Sequence, residues 1–177
     1  MKINVKFWSR CIEILLMLII AWAVVAPVLT CFFGIQFGGE KMIKMTEDLY
    51  GFNINNFSLM KRILLYVVTS IGTTLMVYML WLGIKVSRQW NKGEILTQQT
   101  ALLFSRMGNI WILFNLYSIA QQAFFVFVIA TKQPYNLLMF SFIFSAIGFG
   151  LIYIFFAVIS ALISRGAKLQ KDQDLTV

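Results

Sequence analysis

Four long apolar runs constrain this chain more than any other feature of its sequence: about Cys11 to Phe33, Ile63 to Ile84, Met107 to Ala130 and Leu137 to Ile163. Each holds at least the roughly 20 residues that a helix needs to cross a hydrocarbon core of about 30 Å. Of the 177 residues, 60% are hydrophobic and 12% charged. Soluble domains carry about 25% charged residues, and a chain with half that fraction cannot cover so much apolar surface in water. The expectation is an all-α integral membrane protein, a four-transmembrane-helix bundle forming a single domain over residues 1–177. An extracytoplasmic loop of 34–62, a cytoplasmic loop of 85–106 and a cytoplasmic tail of 164–177 complete it.

The first run follows Lys2, Lys6 and Arg10, as a signal peptide would, and Ala21-Trp22-Ala23 has the form of a cleavage site. The apolar stretch continues through Phe32 and Phe33, long enough for an uncleaved anchor. Pro27 lacks a backbone donor and is expected to kink its outer half. Trp8, Trp81, Trp90, Trp111, Tyr135 and Tyr153 mostly fall near run ends, where amphipathic rings favour the interface.

Orientation follows from the basic residues. One side carries Lys2, Lys6, Arg10, Lys85, Arg88, Lys92, Arg106, Arg165, Lys168 and Lys171; the other carries Lys41, Lys44, Lys61, Arg62 and Lys132. The positive-inside rule therefore places both termini and the middle loop in the cytoplasm, with Lys61-Arg62 working against it. The formal net charge of +8 is spread beside the spans, so anionic lipid suffices as its counter-charge and direct nucleic-acid binding is not expected.

In the loop before the second run, Met42, Met45 and Leu49 recur at helical spacing. Glu40–Lys44 and Lys44–Asp48 are i,i+4 pairs, so a short helix is expected over Glu40–Tyr50, lying on the membrane. Thr131–Asn136 is expected to turn the last two spans into an antiparallel hairpin.

The chain offers little catalytic chemistry. It has no His, so zinc and haem sites of the usual kinds are not expected. No nucleophile–base pair or glycine-rich phosphate loop can be assembled, so the expectation is a protein that is not an enzyme and needs no cofactor or metal. Cys11 and Cys31 lie about 30 Å apart along one helix and cannot bridge within it. Glu13, inside the first run, sits three residues after Arg10, where it can pair locally or reach the interface.

Asn115, Ser118 and Gln122 share one face of the third span, with Gln121 beside them. Such groups in hydrocarbon must find partners, so the stripe should point inward. Interhelical bonding is the more economical reading, and a polar ligand path the alternative. Ser70/Thr74, Thr69/Thr73, Ser141/Ser145, Ala146/Gly150 and Ala157/Ala161 repeat the small-residue spacing that lets helices approach, within a bundle or between copies in a homo-oligomer.

Two segments are less generic than the spans. The first is Trp90-Asn91-Lys92-Gly93-Glu94-Ile95-Leu96-Thr97, followed by Ala101-Leu102-Leu103 and Arg106-Met107-Gly108. Gly93 marks a turn there, and Thr97 can cap a new helix. The second is Ser164-Arg165-Gly166 through Lys168-Leu169 to Leu175-Thr176-Val177, an amphipathic tail. Together they resemble the bacterial four-helix membrane family catalogued as domain of unknown function 2975, with its "GEIFT"-like middle loop and "RG..L.....LTV"-like end. Leu96 stands where that family's loop carries an aromatic residue.

The resemblance implies a multi-pass protein of the bacterial inner membrane. It further implies a small cytoplasmic helix-turn-helix regulator of the Cro/C1 type as partner, contacted through Gly93, Glu94, Thr97, Arg165, Gly166, Leu169 and Leu175. The competing expectation is a small transport or immunity protein, or an accessory subunit of a membrane complex, acting through the bundle itself.

Overall fold

A computed structural model describes residues 5–33, 56–129 and 135–174. These residues form four long helices: α1 (Val5–Phe33), α2 (Leu59–Asn91), α3 (Gln98–Phe124) and α4 (Tyr135–Asp174). A π-helical turn, Phe125–Ile129, extends α3. There is no strand among the described residues, and all four helices are long and apolar enough to cross a membrane. The described residues therefore form an all-α fold, and the protein is membrane-embedded. The expected helix over Glu40–Tyr50 lies outside the described residues, as do residues 131–134 of the expected turn.

The helices outrun the apolar runs. α2 begins four residues before Ile63 and continues seven beyond Ile84, and α4 extends eleven residues past Ile163. Hydropathy marks where a helix meets hydrocarbon, whereas its hydrogen-bond ladder continues into the interface until a turn residue stops it. The 85–106 segment is accordingly mostly helical, and only Lys92–Thr97 connects α2 to α3. α1 runs unbroken through Pro27, since a neighbouring helix or water can satisfy the carbonyl a span proline frees.

Each helix packs chiefly on its chain neighbour: α1 on α2, α2 on α3, α3 on α4. Gly83 of α2 lies close to Leu16 and Met107, Gly72 to Tyr117, and Gly108 of α3 to Tyr153 and Phe156. These antiparallel pairings put the start of α1, the α2–α3 connection and the last turns of α4 at one end of the bundle. The main hydrophobic core sits toward that end. Leu82, Val86, Ala101, Leu103, Phe104 and Ile163 are buried there, with Trp90, Met107 and Phe156 packed around them. Trp90, Phe104 and Phe156 form a chain of tilted rings about 6.3 Å apart.

The small hydroxyl pairs of α2 bond inward on their own helix. Thr69, Thr73 and Thr74 donate to the carbonyls of Leu65, Thr69 and Ser70, at 2.9, 3.0 and 2.8 Å. This back-bonding is the usual solution for a hydroxyl in an apolar helix.

Candidate functional site: a polar rim at one end of the bundle

The rim is built on the six residues between α2 and α3. Lys92 N–H bonds back to the carbonyls of Arg88 and Gln89, and Gly93 N–H to that of Trp90 at 3.0 Å. Gly93 then takes φ +87°, a left-handed conformation that glycine adopts without a steric penalty. Glu94 N–H returns to Gln89 O at 3.0 Å, completing the helix stop.

Thr97 caps α3, its hydroxyl accepting from Thr100 N–H at 3.1 Å. Thr100 has no solvent exposure. Its hydroxyl lies 2.6 Å from Gln89 Oε1, 2.9 Å from Thr97 Oγ1 and 3.2 Å from Glu94 O. One buried hydroxyl therefore touches the end of α2, the connection and the cap of α3.

α4 closes onto the same connection. A Cβ added to Gly166 would lie 3.2 Å from Leu96 Cδ2, so the end of the Leu96 side chain packs closely over the helix at this glycine. Ser164 Oγ donates to Gln98 Oε1 at 3.3 Å, while Gln98 Nε2 reaches Ser164 O at 3.5 Å. One turn deeper, Ser160 Oγ donates to Ala101 O at 2.8 Å. Of the residues singled out in the sequence, Gly93, Glu94, Thr97 and Gly166 thus gather on one rim. Arg165 is exposed on the same turn and Leu169 one turn beyond; Leu175 lies outside the described residues.

α1 is clasped to α2 below this rim. Ser9 and Ser87 are both buried. Their hydroxyls lie 2.9 Å apart, Ser87 Oγ donates to Ser9 O at 2.6 Å, and Ser9 Oγ donates to Ser87 O. Glu13 pairs across helices rather than with Arg10: Arg88 Nε lies 2.7 Å from its Oε1. A lone serine on an apolar helix carries no sign of a clasp 78 residues away, so sequence reasoning missed both.

Between the end of α2 and the start of α3 lies an open cleft of about 480 Å³. Lys85, Arg88, Lys92 and Arg106 line it, against one carboxylate, Glu94. Gln89 and Gln99 add amides, and Leu102 and Leu103 supply an apolar wall. Lys85 Nζ sits 3.5 Å from the centre of the Trp81 ring, a cation–π contact. In the sequence these cations served only as topology markers.

Deeper in the bundle, Asn115 is buried and donates to Trp111 O at 2.8 Å, within its own helix. Ser118 and Gln122 are half-buried. Tyr117 makes an interhelical bond here, its hydroxyl donating to Val68 O beside Gly72. The basic pair Lys61-Arg62 lies at the far end of the bundle, near the end of α1. Arg62 donates to Phe57 O at 3.1 Å and to Phe32 O at 3.4 Å, a cation on the last carbonyls of α1, where the helix dipole favours it. Lys61 lies over the Phe57 ring at 5.8 Å.

A family model, described as "Protein of unknown function (DUF2975)", matches residues 55–177. That span takes in α2, α3, α4 and the whole α2–α3 connection. No curated protein and no solved structure matches the chain significantly.

Proposed function

The chain belongs to the family described as protein of unknown function (DUF2975), and on that premise we propose that it is a membrane-bound partner of a small cytoplasmic helix-turn-helix regulator. It resides in the bacterial inner membrane with both termini and the rim in the cytoplasm, and it binds rather than catalyses. The observation that carries this reading is the contact of Leu96 with Gly166. It joins the two segments that set this sequence apart from a generic membrane bundle. Neither segment is needed to cross the bilayer, yet a network of hydrogen bonds orders them together. A preorganised surface of that kind lowers the ordering cost of binding. Holding a regulator there would reduce its free concentration by linkage.

The test is purification of the full chain from its native membrane in mild detergent, with identification of what accompanies it. A small DNA-binding protein should be recovered, and removal of residues 165–177 should release it from the membrane fraction. If that truncation alters neither the regulator's membrane fraction nor its target transcription, the reading fails. A transport or immunity role through the bundle draws less support, because Asn115 is buried and its amide N–H donates to a carbonyl of its own helix.

A further inference from the structure

We propose that the basic cleft between α2 and α3 binds a phosphate-bearing anion, chiefly the headgroup of an acidic phospholipid. The register that sets Gly83 beside Met107 and Gln89 beside Thr100 brings Lys85 and Arg106 to the same height on adjacent helices. Lys85 directly follows the apolar run of α2, and Arg106 directly precedes that of α3. Both charges therefore stand where hydrocarbon gives way to headgroups. Trp81, in contact with Lys85, is a residue type that prefers that boundary.

The charge within the cleft is not internally matched. Arg88 is engaged by Glu13, and Glu94 offsets one cation, whereas the exposed Lys92 and Arg106 make no ion pair among the described residues. The walls are graded, with cations and the amides of Gln89 and Gln99 beside an apolar patch of Leu102 and Leu103. A phosphodiester meets the first, and the glycerol and upper acyl carbons meet the second. A cleft of about 480 Å³ holds a phosphoglycerol group. This inference goes beyond the regulator reading and does not depend on it.

The test uses the full-length protein in phosphatidylcholine nanodiscs containing a minor fraction of phosphatidylglycerol, with retained lipid counted by native mass spectrometry. Phosphatidylglycerol should be enriched over phosphatidylcholine. Lys92→Gln and Arg106→Gln should each lower that enrichment about fivefold, the effect of one interfacial charge, with thermal unfolding unchanged. Lys168→Gln, on α4 outside the cleft, should leave it intact. Glycerol 3-phosphate separates the two sources of the anion. If it binds at the cleft while the lipid is not enriched, the phosphate chemistry stands with a soluble ligand. The proposal is overturned if neither probe binds, or if Lys92→Gln and Arg106→Gln retain wild-type binding. An equal loss in Lys168→Gln would also overturn it, as would binding of poly-glutamate in place of both phosphate probes.

Discussion

The Thr100 hydroxyl, itself fully buried, lies 2.6 Å from the half-buried Gln89 Oε1, a hydrogen bond that ties the first turn of α3 to the last turn of α2. Thr100→Val keeps the shape and removes the hydroxyl, leaving Gln89 Oε1 without that donor. We expect a loss of about 0.5–1.5 kcal/mol, the net contribution of one hydrogen bond, read as thermal unfolding in detergent. Thr100→Ser should recover most of it. Thr97→Ala should cost about 1 kcal/mol as a lost cap, and the double variant should cost less than the sum, because the two hydroxyls share a bond.

Gly166 predicts a separation of stability from binding. Gly166→Ala raises helix propensity by about 1 kcal/mol and asks the end of the Leu96 side chain to shift slightly, so the unfolding temperature should hold or rise. Gly166→Leu occupies the position of Leu96 and should detach the connection from α4. The bundle should stay folded while recovery of a co-purifying regulator falls. Undiminished recovery would argue that the Leu96 contact plays no part in binding.

Much of this fold can be read from the chain itself, and the reasons for the remainder are specific. Hydropathy alone locates four spans, and Gly93 and Thr97 announce the turn and cap through their local chemistry. The ends of α2 and α4 are less legible, because hydropathy reports the surroundings and not the hydrogen-bond ladder. The clasps are invisible for another reason. Ser9 with Ser87, Tyr117 with Val68 and Arg62 with Phe32 depend on which faces and heights meet, and that register exists only once the helices are packed. The cleft is intermediate: its cations stand out in the sequence, but their convergence on one opening does not.

Glu13 and Arg88 make an ion pair with unequal exposure, the Arg88 side chain 57% and the Glu13 side chain 18% accessible. Solvent screens such a pair, so Glu13→Gln should cost no more than about 1 kcal/mol. Its larger effect should be electrostatic. Arg88 is released into the cleft, and enrichment of phosphatidylglycerol should increase, opposite in sign to Lys92→Gln. A decrease would show that Glu13 organises the cleft rather than quenching it.

Asn115→Leu should leave the bundle close to wild type. The amide bonds within its own helix, and polar contacts inside membranes contribute about 0.6 kcal/mol on average. If this substitution abolishes function while truncation after Ser164 does not, the activity resides in the bundle.

The inferred orientation makes a direct prediction. A fluorescent protein fused after Val177 should fluoresce, and alkaline phosphatase fused there should be inactive. Arg62→Gln should not invert the protein, because ten basic residues still face the other side. It should loosen the α1–α2 contact at the far end, measurable as faster hydrogen exchange near Phe32.

Neighbour-on-neighbour packing also bears on how the protein is made. A helix entering the bilayer during synthesis meets its principal companion already in place: α1 awaits α2, α2 awaits α3, and α3 awaits α4. Assembly can then proceed vectorially, with small sequence separations to close at every step. On that route the α1–α2 hairpin is the first product, pinned at both ends by its serine clasp and by Arg62. The rim is the last, finished only when Gly166 emerges from the ribosome and comes to rest beneath Leu96.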